Sequence, residues 1–279
     1  MAENPDLGKY TSDKQQPVDF AIWQAADGTW QLWSCIRNTK CGGETRLFHR
    51  WEGKQLQDRN WKPMGVAMTA DTSLGESEGG LQAPYVFKEN DRYYMFYGDL
   101  HRICLATSSD GKEFTRHRNR RGQPDLFSGP YEWIRDPMVM KWQGLYFCYY
   151  MAYQKDAKHR SAIFCRTSHD LEHWSEPIMV AAGGAAASFS EYNTECPFVV
   201  QKDNWFYLFS NQIYGRKSHN IQYASPNPLS WGIDDDRWKV SSLQVAAPEI
   251  IFHNGEWYIA SCNLALDGIR IARLEWIKN

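Results

Sequence analysis

The sequence predicts an all-β protein folded as a single five-bladed β-propeller, and three observations carry that prediction. Short runs rich in aromatic and β-branched residues, bounded by Gly, Asn, Asp and Pro, recur along the 279 residues, whereas long helical periodicity is hard to find. One phrase, a short lead-in, a strand, a polar turn and an aromatic-rich strand, occurs five times. A second phrase, a polar turn that runs from Ser to an aromatic, occurs three times.

The five copies of the first phrase are "PVDFAIWQAADGTWQLWS", "LQAPYVFKENDRYYMFYG", "IRDPMVMKWQGLYFCYY", "TECPFVVQKDNWFYLFS" and "VAAPEIIFHNGEWYIAS". They place blade starts near residues 17, 81, 133, 193 and 245 of one domain spanning 1–279. Each turn carries the Asp, Asn or Gly that a hairpin demands. Four copies align on Pro84, Pro137, Pro197 and Pro248, with Phe20 in the equivalent place in the first. Proline is tolerated at a strand's first residue because no ladder hydrogen bond is lost there. Its recurrence at intervals of roughly 50 to 60 residues has the size of a propeller blade. Nine or ten positions later stand Trp30, Tyr94, Tyr146, Tyr207 and Trp257, rings placed to fill a core between stacked sheets. The second phrase, "TSSDGKEF", "TSHDLEHW" and "ASPNPLSW", reads as the turn between the third and fourth strands of a blade. Four strands per blade leave segments 64–80 and 178–192 as longer connections. The stretch "VAAGGAAASFSEY" lies inside the repeat and reads as a flexible loop, not a domain linker.

Composition narrows the function. A net charge of −2 and a pI near 6.4 offer no basic face for nucleic acid or an anionic membrane, so a neutral substrate fits better. Thirteen Trp and fifteen Tyr suit β-cores, and also sugar sites, where flat rings stack on C–H surfaces. The seven cysteines, Cys35, Cys41, Cys104, Cys148, Cys165, Cys196 and Cys262, show no zinc-like spacing and are expected to be free thiols, mostly buried. The start, "MAENPDLGKY", lacks a signal-peptide pattern, and no apolar run approaches the ~18 residues of a membrane span. A soluble protein is expected, cytoplasmic or exported after loss of a leader.

In a propeller the first strand of each blade lines the central channel, and its entrance faces a funnel. Counting back from the aligned proline, the entrances read Val18-Asp19, Gln82-Ala83, Arg135-Asp136, Glu195-Cys196 and Ala246-Ala247. Three of the five carry a carboxylate. Such a trio suits glycosidic bond cleavage, in which one carboxyl group protonates the leaving oxygen and another attacks the anomeric carbon or activates water. A third can raise a neighbour's pKa or stabilise an oxocarbenium-like charge. Glu195, with the longest reach, suits the acid, and the chemistry requires no metal or other cofactor.

The motifs "IRDPMV" and "TECPFV", in consecutive repeats, resemble the Arg-Asp-Pro and Glu-Cys-Pro motifs of glycoside hydrolase family 32, and "APYVFKENDRYYMFY" and "APEIIFHNGEWYIA" resemble family 43 arabinanases and β-xylosidases as closely. The likeness spans about residues 17 to 277. It implies Asp136 as transition-state stabiliser or pKa modulator and Glu195 as general acid. It also implies Arg135 as a contact to sugar hydroxyls, although a salt bridge at a strand end is an equal reading. Asp19 would be the nucleophile of a family 32 mechanism or the water-activating base of a family 43 one. The run "PVDFAIW" departs from both families by placing Phe20 where proline is usual. A single domain without a β-sandwich leans toward family 43 and inversion.

The expected activity is therefore hydrolysis of β-linked furanosides or xylosides of the arabinoside, xyloside or fructoside class, with an oligosaccharide or glycoside as the partner. The alternatives are a non-catalytic carbohydrate-binding propeller and a glycoside phosphorylase. The first is favoured if Asp19 turns from the channel; the second needs a basic cluster, for which "RHRNRR" at 116–121 is the strongest segment, read as a solvated face. Further substrate contacts are assigned to Gln82, which would bond a sugar hydroxyl, and to Trp23 and Trp133, as a stacking platform or core rings. Glu78 would line the pocket, and His219 would reach the channel or stand on the surface. The acidic "GIDDDRW" lacks calcium-loop spacing and reads as a turn.

Overall fold

A computed structural model describes residues 1–190 and 192–277. Its strands form five sheets, each a blade built outward from an inner strand. The inner strands are Gln16–Gln24, Leu81–Glu89, Trp133–Trp142, Glu195–Lys202 and Ala246–His253, in blades 1 to 5. Each pairs antiparallel with the next strand in sequence, Trp30–Arg37, Arg92–Asp99, Leu145–Tyr153, Trp205–Ile213 and Glu256–Cys262 respectively. The third strands are Leu47–Gly53, Ile103–Ser108, Ser161–Ser168, His219–Ser225 and Gly268–Arg273.

The outer positions depart from a uniform four-strand plan. Blade 2 divides its edge between Thr115–Arg116 and Asp125–Phe127, and blade 3 gains Gly232–Ile233, paired parallel to Ile178–Ala182. In blade 5 the edge is Ala2–Glu3, paired antiparallel to Gly268–Arg273, so the start of the chain completes the last blade and ties the ring shut.

Local chemistry explains the turns. Hairpins between inner and second strands use left-handed backbone at Gly28, Asn90, Gln143-Gly144, Asp203 and Asn254-Gly255, which matches the strand twist. The Ser-to-aromatic turns share one pattern. Ser108 and Ser168 Oγ accept from the backbone N–H of Gly111 and Leu171, while Asp110 and Asp170 Oδ1 accept from the N–H groups that follow. In the third copy Ser225 Oγ accepts from Asn227 N and Asn227 Oδ1 from Leu229 N.

Blades stack on both sides of one another, so the middle strands are buried on both faces. Trp30 and Tyr146 are buried as expected, but so are the neighbouring Leu32, Tyr93, Met95, Phe96, Phe147 and Leu208. Tyr94, Tyr207 and Trp257 are only half-buried; Tyr207 and Trp257 rest on Trp276. All seven cysteines are free, five of them buried.

One irregularity repeats in every blade. The pairing of each inner strand shifts between Val18 and Phe20, Gln82 and Tyr85, Arg135 and Met138, Glu195 and Phe198, and Ala246 and Glu249. The residue just before the aligned proline position is left-handed each time: Asp19 (φ 37°), Ala83 (44°), Asp136 (59°), Cys196 (45°) and Ala247 (46°). Non-glycine residues rarely adopt that backbone, and a bulge re-aims the side chain that carries it. A proline follows in four blades and disfavours the right-handed helical conformation at the residue before it, but in blade 1 Phe20 follows Asp19 and the left-handed bulge persists. Five bulges thus turn five side chains into the mouth of one channel.

Candidate active site

The bulge residues Asp19, Ala83, Asp136, Cys196 and Ala247 line a cavity at the propeller axis. Asp19, Asp136 and Cys196 share this ring. Glu195 stands one residue earlier, at the register of Arg135 and Gln82, so the three carboxylates occupy two adjacent tiers instead of one matched position.

The tiers are tightly bonded. The Cys196 backbone N–H donates to Asp136 Oδ2 at 3.0 Å, and Cys196 Sγ stands 3.3 Å from Asp19 Oδ1 and 3.6 Å from Asp136 Oδ2. Tyr214, from the connection after the second strand of blade 4, donates its hydroxyl hydrogen to Asp19 Oδ1 and lies 2.9 Å from Cys196 Sγ. Arg135 Nη2 donates to Glu195 Oε1, while Arg135 Nε is 3.8 Å from Asp136 Oδ1. That Asp136 oxygen is buried with no hydrogen-bond partner among the described residues.

Burial dominates the electrostatics. It raises Asp136 to about 7, against the lowering field of Arg135 and with help from Asp19 and Glu195. It also raises Glu195, with Arg135 again opposing. The Cys196 thiol and the Tyr214 phenol are pushed well above their usual ranges, so both remain protonated donors. Asp19, Asp136 and Cys196 bring ligand atoms within 4.8 Å of one another, the single such group among the described residues. To hold a metal there the thiol would have to lose its proton and leave its contacts with Tyr214 and Asp19.

The other expected contacts divide. Trp133 stacks on Tyr153 (5.0 Å between ring centroids, 27° between planes) and neighbours Tyr192, whose ring lies 5.8 Å from the Arg135 guanidinium; this is an aromatic wall beside the acids. Gln82 is buried next to Gly98, against which Arg135 also packs. Trp23 does not reach the funnel. It lies at the far end of its strand, buried between Trp33 and Phe114, with Nε1 bonded to Gly111 O, because a strand's alternation carried it into the blade 1–2 core. Glu78 is exposed on a rim loop, its carboxylate beside Gly42 and its carbonyl accepting from Glu44 N. His219 stacks on Phe189 (4.4 Å) and does not join the acids. The "RHRNRR" segment is only partly a solvated face. Arg116 is drawn into a pair with the buried Glu76, and Arg121 pairs with Asp125. In "GIDDDRW", Asp234 and Asp236 bind Lys158 and the Ala185 N–H as turn ties.

Three residues escaped the sequence reading. Glu249, also in the channel lining, is buried, accepts from Ile22 N at 3.0 Å, and has its pKa pushed well above the usual carboxylate range by burial. An acid at the position filled by Tyr85, Met138 and Phe198 in other blades was its signal. Tyr214 and Arg37 lie in connections between repeats or at a strand end, and carried no signal.

A family model for glycosyl hydrolases family 43 matches residues 48–230, more than half of the chain. A probable sucrose-6-phosphate hydrolase of Psychromonas ingrahamii is 25% identical over 211 residues, covering 71% of this chain; the chain spans only 35% of that relative's length. Among solved structures, an endo-arabinase from Bacteroides thetaiotaomicron aligns with a TM-score of 0.72 at 15% identity, covering 99% of both chains. A family 32 β-fructofuranosidase from Bombyx mori aligns at 0.69 and 15% identity, covering 93% of this chain and 56% of its own. These likenesses establish the propeller fold. Among the described residues, no helix is long and apolar enough to cross a membrane.

Proposed function

Since the chain belongs to the glycosyl hydrolases family 43, we propose that it is a glycosidase whose catalytic groups are Asp19, Asp136 and Glu195, acting on arabinosides, xylosides or fructosides. The observation that carries this reading is the convergence of three acids from blades 1, 3 and 4 at one funnel, two of them with pKa raised by burial.

Glu195 is the general acid. Burial keeps its proton available at higher pH than an exposed glutamate would, and Arg135 holds Oε1, leaving Oε2 for the leaving-group oxygen. Asp19, fixed through Oδ1 by Tyr214, acts as the base that activates water, with inversion as the outcome. Asp136 sits between them, modulates the acid and faces the developing positive charge of the sugar. Arg135 positions the acid and meets sugar hydroxyls, while Trp133 and Gln82 contact the sugar. The neighbours' printed names include an exo-1,5-α-L-arabinanase and a β-xylosidase, so both anomeric series belong in the substrate screen. The relative from Psychromonas adds phosphorylated sugars to it.

Two observations weigh against the alternatives. Asp19 lines the channel, as catalysis requires and mere binding does not. Two arginines of the segment that a phosphorylase would need are engaged in ion pairs. The test is Glu195→Gln assayed on a natural linkage and on a dinitrophenyl glycoside. Loss of the first with substantial retention of the second is expected, because a good leaving group needs no acid; equal retention of both would refute the assignment.

A further inference from the structure

Arg37 closes the second strand of blade 1, in register with Gln16, at the funnel end. Its Nε and Nη2 both donate to Gln16 Oε1, at 2.9 and 2.8 Å, and its guanidinium lies 5.8 Å from the centroid of the Tyr214 ring. Tyr214 in turn bonds Asp19, so Arg37 stands behind the proposed base, and its charge is felt at Glu195. Arg37 is half-buried, yet among the described residues it forms no ion pair with any carboxylate. Arg50, Arg102, Arg116 and Arg135 are matched with acids, and the buried Arg166, which also lacks a carboxylate, is satisfied by Tyr150 Oη, Ser175 O and Ser128 O, whereas Arg37 has Gln16 Oε1 alone. A fixed cation with spare N–H donors and no counter-charge is a binding position that awaits one.

The surrounding rim has the same sign. Asn38 Nδ2 bonds Lys14 O, Lys40 N bonds Tyr10 O, and Arg216 and Lys217 follow Tyr214 after Gly215, so the backbone of Lys14 and Lys40 lies near the end of the Arg37 strand and that of Arg216 and Lys217 near Tyr214. All four are exposed, and none is ion-paired among the described residues; the acids of the same segments are the exposed Asp6, which accepts from Thr11, Asp13, and Glu44, which pairs with Arg46. The protein as a whole carries −2, so the local excess of positive charge is a feature of this sector and not of the whole surface.

We propose that the Arg37 corner is a subsite for an anionic substituent, a phosphate or carboxylate, on the sugar that the acids cleave; this rests on the glycosidase reading above. Arg37 supplies a planar fork that matches two oxygens of such a group, Gln16 and the Tyr214 ring keep the fork in one orientation, and the four exposed cations draw the anion in from solution.

The test is calorimetric titration of the full chain with inorganic phosphate and, separately, with D-glucuronate, at low salt and near physiological salt. It is run on the wild type and on Arg37→Gln, Arg37→Lys and Glu195→Gln. Phosphate or glucuronate should bind the wild type, the stronger of the two identifying the substituent. Affinity should fall at least about tenfold in Arg37→Gln and less in Arg37→Lys, which keeps the charge without the fork. Glu195→Gln should bind the anion as the wild type does, so a wrong assignment of the acid leaves this result standing. No binding by the wild type, or equal binding by Arg37→Gln with its melting temperature unchanged, overturns the proposal. Should Arg37→Gln fail to fold, undiminished affinity in Arg37→Lys has the same force. Release of a glycosyl phosphate in the presence of inorganic phosphate also overturns it, since the anion would then be the attacking group.

Discussion

Tyr214, anchored in blade 4, donates its hydroxyl hydrogen to Asp19 Oδ1 of blade 1 and thereby spans the sector of blade 5. The contact occupies Oδ1 of Asp19, whereas Oδ2 has no hydrogen bond among the described residues.

Removing that donor tests its importance. Tyr214→Phe should lower kcat by about tenfold to a hundredfold, since a hydrogen bond to a charged group contributes roughly 1.5–3 kcal/mol and about 1.4 kcal/mol is tenfold in rate. Steady-state kinetics on an aryl glycoside read the change, and a variant within twofold of the wild type would deny Tyr214 a positioning role.

The paired acids should also set the pH profile. Asp136 is raised to about 7 and Glu195 is raised with it, so the array holds its proton into the neutral range and gives it up as pH rises further. Activity should therefore fall on the alkaline side with an apparent pKa near neutrality that belongs to the coupled acids jointly. In Glu195→Gln, residual hydrolysis of a dinitrophenyl glycoside should lose that alkaline decline or have it displaced.

Stability follows from the same shift. A carboxyl raised in the folded state binds its proton more tightly there than in the unfolded chain, so stability is lost as pH climbs from the unfolded value of 3.8 to about 7. Asp136→Asn removes the buried charge. Its melting temperature should exceed the wild type's by a few degrees at pH 8, with the difference mostly gone by pH 4, while activity is lost.

Trp23 and Trp133 should behave in opposite ways. Trp23→Ala empties a buried site between Trp33 and Phe114 and should cost about 3–5 kcal/mol in denaturant unfolding. Trp133→Ala, at the half-buried wall beside Arg135, should leave unfolding far less affected and raise KM severalfold.

The buried Glu76 gives a further check. It pairs with Arg116 and accepts from Tyr97 Oη at 2.6 Å, so Glu76→Gln strands a partly buried guanidinium and should destabilise by about 3–5 kcal/mol. Chemical denaturation measures this directly.

Much of the architecture was legible in the sequence, because a propeller repeats one local solution. The Pro-anchored strand, the Asn/Asp/Gly hairpin and the Ser-Asp turn are short-range devices, and each copy states them again. The position of Asp136 and Glu195 at their strand entrances was legible for the same reason: each stands one or two residues before a repeated proline. What misled was treating the dipeptide before that proline as one position. The bulge splits it, sending Asp19, Asp136 and Cys196 to one tier and Arg135 and Glu195 to the next.

The sequence by itself therefore determined the repeat, the fold class and the placement of three acids at the strand entrances, since these rest on contacts between near neighbours and on turn chemistry. Only the tertiary structure decided that Tyr214 meets Asp19, that Arg37 stands behind both without a counter-charge, and that Trp23 belongs to the core. Those facts depend on ring closure, which brings side chains far apart in the chain to one axis and buries them together. Burial on that axis, not the residue types alone, makes Asp136 and Glu195 difficult to ionise.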